Sequence, residues 1–160
     1  MHNNYDALLE SHKKICNNND CCVNSKVANE KGKRFEVDSN ENFTKIRIDN
    51  CLIVSNEEKK CDFGFVRHFN NEFFFVELKG SDVHQAKRQI INTICYFEEN
   101  LIKIPKDKRF GFVVSSKFPK SGNDVNNLIQ DFKKKFGKDL KFKNRQLIHK
   151  PNQKWFGFFI

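Results

Sequence analysis

No stretch of the 160 residues approaches the roughly 18 consecutive apolar residues of a membrane-spanning helix. The opening MHNNYDALLESHKK lacks the cationic-then-apolar layout of a secretory leader. Together these absences predict a cytoplasmic protein, in which the six cysteines stay reduced. No Cys-x-x-Cys pair occurs, so no zinc spacing is present; His12, Cys16, Cys21 and Cys22 are plain buried or surface groups before they are metal ligands. There is no P-loop glycine pattern, no recognisable Ser-His-Asp arrangement, no internal repeat and no long linker. Acid is also short: 29 Lys+Arg face 20 Asp+Glu, a net charge of +9. A basic excess on so small a chain favours an acidic partner, nucleic acid before an anionic membrane surface.

What is present is phenylalanine, with 18 copies in a chain whose hydrophobic fraction is only 38%. That composition implies a packed core rather than disorder. The length fits a single domain over residues 1–160, frayed over 1–4, that buries about 68–70% of its unfolded surface without a staple.

Tyr5 to Cys16 carries helical periodicity. Strand-like runs follow at Arg34–Val37, Lys45–Val54, Cys61–Arg67 and Glu72–Lys79, with turns between them; residues 23–33 are hard to assign. Val83, Ala86, Ile90, Ile94, Phe97 and Leu101 recur at steps of three and four, which predicts a helix over 82–101 capped by Asp82. A strand at Phe110–Ser115, a helix from Asn123 or Asp124 to Gly137, and a basic strand at Leu140–His149 complete the order. The aromatic tail Trp155–Ile160 is expected to pack on the core. The fold class is mixed α/β, antiparallel at first and with crossover helices later.

The hairpin 61–79 carries the chemistry. Phe74, Val76 and Leu78 share one face of its second strand; Phe75, Glu77 and Lys79 share the other. Charged residues inside so apolar a strand are costly unless partnered or functional. With Asn70-Asn71 as the tip, Asp62 faces Lys79 and Gly64 faces Glu77. Asp62 and Glu77 are then diagonal neighbours at about 7–8 Å, able to converge on one cation, and Gly64 leaves space for it. The plain alternative is a solvated cross-strand ion pair between Asp62 and Lys79.

These residues, in KKCDFGF and FFFVELKGSDVHQAKRQI, resemble the PD-(D/E)XK nuclease superfamily, over roughly residues 45–115. The resemblance implies a restriction-endonuclease-like core, a mixed β-sheet flanked by helices. It makes Asp62 and Glu77, with the carbonyl of Leu78, ligands of Mg²⁺ (Mn²⁺ as substitute), and gives Lys79 the role of orienting or deprotonating water. Cys61 stands where the family usually has proline. One branch adds Gln-x-x-x-Tyr on the next helix; Gln89 fits the first position and is a further catalytic candidate, while Thr93 replaces the tyrosine and Tyr96 lies one turn on. Many members use a first-helix glutamate; Glu10, Glu30 and Glu36 are the candidates.

The implied activity is phosphodiester hydrolysis, on DNA before RNA, with a homodimer or partner protein as one way to cut both strands. A catalytically silent nucleic-acid-binding or interaction module of the same fold is the alternative. For phosphate contacts the sequence offers Lys87 and Arg88 beside the hairpin, and Lys133, Lys134, Lys141, Lys143 and Arg145 in the basic C-terminal third, extended by Lys103, Lys106, Lys108 and Arg109. His84 and Phe69 are lesser candidates, more naturally an exposed histidine and a hairpin-tip aromatic.

Overall fold

A computed structural model describes residues 20–54, 57–78, 82–117 and 122–152. The expected helix at 5–16, Lys79 with Gly80, and the aromatic tail lie outside these residues. The described chain is mixed α/β with two sheets and two α-helices. Its strands are β1 (Cys22–Asn24), β2 (Val27–Glu30), β3 (Lys33–Val37), β4 (Phe43–Arg47), β5 (Phe63–Arg67), β6 (Phe73–Leu78), β7 (Arg109–Ser115), β8 (Asp139–Asn144) and β9 (Gln146–His149). Helix α1 (Val83–Asn100) joins β6 to β7, and α2 (Gly122–Lys135) joins β7 to β8.

The larger sheet runs β1-β4-β5-β6-β7-β8; the smaller runs β2-β3-β9. Strands β4, β5 and β6 form an antiparallel meander, whereas β6, β7 and β8 are parallel across the two helices, as crossover connections require. Each face of the large sheet is buried. Phe73, Phe75, Val113 and Leu140 pack on Ile90, Ile94, Phe97, Leu128 and Phe132 of the helices. Phe65, Phe74, Val76 and Phe112 pack on Ala28, Phe35, Val37 and Leu147 of the small sheet. The face alternation read for β6 therefore holds, but neither face is solvated. Within β6, Phe73 and Phe75 serve one core and Phe74 the other.

Helix α1 starts as its sequence indicates: the Asp82 side chain accepts the Gln85 N–H at 3.1 Å. Three expectations are corrected. Lys45–Val54 is not one strand; β4 ends at Arg47 and the chain turns tightly, Ile53 N–H returning to Ile48 C=O at 3.0 Å. Leu140–His149 is also two strands in two sheets, broken at Arg145, whose φ is +64°. The cysteines are not all reduced: Cys21 and Cys51 form a disulfide with Cα atoms 5.7 Å apart, and Cys22 is disulfide-bonded too. Cys61 and Cys95 are free thiols.

Arg67 locks the hairpin tip. Only 1% exposed, it donates to both oxygens of Glu41 at 2.9 and 2.7 Å, to Glu72 at 2.8 Å and to the Asn152 carbonyl at 2.5 Å. A buried guanidinium needs such partners.

Candidate functional site

The hairpin register places the site. Phe65 pairs with Phe74 and Phe63 with Val76, two residues away from the register expected from an Asn70-Asn71 tip. The reason is the turn. Arg67 N–H donates to Glu72 C=O at 2.9 Å, and four residues loop between them. Asn71 adopts φ +61°, a conformation asparagine tolerates, and donates to Arg67 C=O at 2.9 Å. A two-residue shift preserves the faces. One step past the paired residues, Asp62 comes opposite Glu77 itself rather than Lys79.

The two carboxylates are held differently. Asp62, half-buried, accepts the Leu78 N–H through Oδ2 at 2.8 Å, so its side chain takes the place of a ladder carbonyl at the end of β6. Glu77 is 0% exposed, and its Oε2 accepts Nε2 of Gln89 at 2.7 Å. The same Gln89 nitrogen donates to the Lys60 carbonyl at 3.1 Å. Thr93, one turn on, accepts the Cys61 N–H at 2.9 Å and donates to the Gln89 carbonyl at 2.7 Å. Thr93 thus has a structural task at the position where the resemblance implies tyrosine. Tyr96 lies with the Lys60 ammonium 5.5 Å above its ring. Burial, with the Glu77 and Asp62 charges nearby, pushes the Cys61 thiol well up. It stays protonated, which removes Cys61 as a nucleophile.

Gly64 does not leave a cation space. It pairs with Phe75, and a Cβ there would meet the Phe73 ring at 2.6 Å. The glycine makes room for that ring.

Beside Asp62 lies a pocket of about 190 Å³ lined by Asn29, Glu30, Arg47, Asp49, Asn50, Asp62 and Phe63. Burial raises the Glu30 carboxyl, and the charges of Asp62 and Asp49 raise it further, against the pull of Lys31 and Arg47. Of the three candidate third acids, Glu30 therefore shares the field of Asp62. Glu36 pairs with Arg34 at 3.4 Å on β3, and Glu10 lies outside the described residues. Asn29, Arg47, Asp49 and Asn50 were not expected in the site. The alternation of Arg47 and Asp49 against Ile46 and Ile48 put them on the polar face, but only the second layer brings Asn29 and Glu30 of β2 into the same pocket. Among the described residues no group of three or more His, Cys, Asp or Glu side chains is gathered to hold a metal ion.

Known proteins offer no guide. No family model, no curated protein and no solved structure matches this chain.

The remaining candidates scatter. Lys87 is buried and paired with Asp131 at 2.6 Å, tying α1 to α2, while Arg88 is exposed. His84 makes a second tie, to Asp124 at 2.8 Å. Phe69 is exposed beneath the Arg67 guanidinium, 5.4 Å from its ring centre. Lys141 and Lys143 lie exposed on β8, the strand at one edge of the large sheet, and Arg145 follows. Lysines on an edge strand also protect it from pairing with another chain. Lys133 and Lys134 sit at the C-terminal end of α2, at the other end of β8 from Arg145. The basic segment is therefore not one surface. Lys79 lies outside the described residues.

Proposed function

We propose that the protein is a metal-dependent nuclease that hydrolyses phosphodiester bonds of DNA. One observation carries the reading: Asp62 and Glu77 stand opposite each other at the open end of the central hairpin, and the helix that follows supplies Gln89 to Glu77. The element order supports a restriction-endonuclease-like core, since a three-stranded antiparallel meander is followed by a helix and a parallel strand.

Two carboxylates and a backbone carbonyl are hard oxygen donors, a set that suits Mg²⁺, which needs only one or two carboxylates beside water and phosphate. In an extended strand a residue's C=O faces the same neighbour as its N–H. The Leu78 carbonyl therefore faces the side from which Asp62 takes the Leu78 N–H. Asp62, Glu77 and that carbonyl would hold the ion, with Glu30 and Asp49 in the pocket beside Asp62. A bound divalent ion supplies an acidified water and stabilises charge on the phosphate oxygens. Asp62 is fixed by the β6 backbone, and Gln89 orients Glu77. Lys79, two residues beyond Glu77, is assigned to the water: it orients it or takes its proton as the oxygen attacks phosphorus. The opposite P–O bond then breaks, and the leaving oxygen gains a proton from solvent.

The Cys21–Cys51 disulfide fits an environment that keeps thiols oxidised better than a reducing cytoplasm. No helix among the described residues is long and apolar enough to cross a membrane.

The full burial of Glu77 favours a second reading, a catalytically silent nucleic-acid-binding module, because an enclosed carboxylate has little access to a hydrated ion. A cleavage assay separates the two. Plasmid, linear duplex, single-stranded DNA and RNA are offered with Mg²⁺, Mn²⁺ or EDTA to the wild type, Asp62→Asn and Lys79→Ala. Metal-dependent cutting lost in both variants is expected. Cutting that survives Lys79→Ala overturns the mechanism. No cutting, with no metal binding by calorimetry, selects the silent module.

A further inference from the structure

Far from Asp62, at the end of the large sheet where β7 and β8 begin, three separate stretches of chain build a basic groove of about 590 Å³. Lys106, Asp107, Lys133, Gly137 and Lys138 line it. Its walls are fastened by one buried residue. Arg109 donates to the Ile104 carbonyl at 2.7 Å and to the Phe136 carbonyl at 3.1 Å, and pairs with Glu98. The Arg109 carbonyl accepts the Lys138 N–H at 2.7 Å. Gly137 is required for this closeness, since a Cβ would stand 2.5 Å from the Phe132 ring and 2.8 Å from the Arg109 carbonyl. Lys106 donates to the Lys134 carbonyl. Lys133 and Lys138 are exposed, and neither has an ion-pair partner among the described residues.

We propose that this groove is a preorganised anchor for the phosphate backbone of duplex DNA, separate from the Asp62–Glu77 site. A concavity with walls tied by hydrogen bonds and carrying ammonium groups without ion-pair partners among the described residues fits a polyanion better than it fits the core of a protein interface, where lysine is depleted. The single acid on its wall, Asp107, is outnumbered by Lys106, Lys133 and Lys138. The spacing adds a rule that rests on the nuclease reading. Arg109 pairs with Phe73 and Val114 with Leu78, so the groove and the carboxylates lie at opposite ends of β6. That is about 16 Å at ~3.3 Å per residue, or about five base pairs of duplex. Substrates too short to span it lose the anchor.

The test is fluorescence anisotropy of a labelled 20-base-pair duplex in EDTA across a salt series, with wild type, Lys133→Gln/Lys138→Gln and Lys133→Glu/Lys138→Glu. The Gln pair should lower the slope of log affinity against log salt by about 2, and the Glu pair should weaken binding more than tenfold. Circular dichroism confirms that the exposed substitutions leave the fold intact. Unchanged affinity and slope in both lysine pairs overturn the proposal. So does polyglutamate that displaces the duplex at equal charge concentration, which would assign the groove to an acidic protein segment. Failure of the nuclease reading looks different: the lysine pairs still weaken binding, while no variant or wild type cuts.

Discussion

Gln89 divides one amide nitrogen between two strands' worth of structure: Nε2 donates to Glu77 Oε2 at 2.7 Å and to the Lys60 carbonyl at 3.1 Å. It thereby fixes a fully buried carboxylate and the segment leading into Asp62 at once. Gln89→Ala removes both bonds and leaves polar groups buried, so a stability loss of about 1–3 kcal/mol is expected in urea denaturation. Gln89→Glu sets a second carboxylate against Glu77 and should cost at least as much at pH 8. A Gln89→Glu protein as stable as the wild type would contradict this contact.

Gly64→Ala tests what fills the space beside Glu77. The added methyl meets the Phe73 ring, and Ile48 stands 3.2 Å away. Overpacking of this kind costs about 1–3 kcal/mol. Metal affinity, measured by calorimetry on the folded protein, should stay within a few-fold of wild type. A selective loss of metal with unchanged melting temperature would return Gly64 to the site.

His149 is held neutral. Burial, then the charges of Lys141 and Arg67, depress its pKa from 6.5 to about 4. As pH falls the unfolded chain takes this proton first. The stabilisation is complete above pH 6.5 and is lost progressively down to about pH 4, by an amount on the order of 1–3 kcal/mol, since the ring keeps some contact with solvent. The ring packs between Phe74 and Phe112, 5.2 and 4.8 Å from their centres. His149→Phe therefore keeps an aromatic there while removing the titration. Its stability should depend less on pH than that of wild type between pH 6.5 and 4; parallel curves would show that another group is responsible.

The disulfide Cys21–Cys51 spans 30 residues, and tying a loop of that length stabilises by about 3–4 kcal/mol in the chain-entropy account. It also fastens the loop that carries Asp49 and Asn50 into the pocket beside Asp62. Cys51→Ser should lower the melting temperature by several degrees and free one thiol at position 21 for alkylation in the native protein. Full alkylation of Cys21 in unreduced wild type would remove the bond from the functional state.

Much of this architecture was legible because it depends on local pattern. Helix α1 announces itself through its apolar period and Asp82, and the faces of β6 follow from alternation. Asp62 and Glu77 could be brought together from the hairpin alone. The register could not, because it depends on Asn71 entering a left-handed conformation and on Arg67 finding Glu41 and Glu72. The second layer was invisible for a similar reason. Nothing in Leu140–His149 marks a break, since Arg145 is no usual bearer of a positive φ, and β9 finds β3 across more than a hundred residues of chain. Without that layer, Glu30 and Asn29 have no reason to approach Asp62. The disulfide likewise depends on where two turns meet in space.

Synthesis from the amino terminus gives the β3–β9 pairing a further meaning. Strands β2 and β3 leave the ribosome early, yet the parallel neighbour of β3 is the last of the described strands to emerge. Until then one edge of β3 is open, and Phe35, Phe65 and Phe112 lack the cover of Leu147. Over the roughly 110 residues between β3 and β9 the nascent chain carries a bare strand edge, open to pairing with another chain.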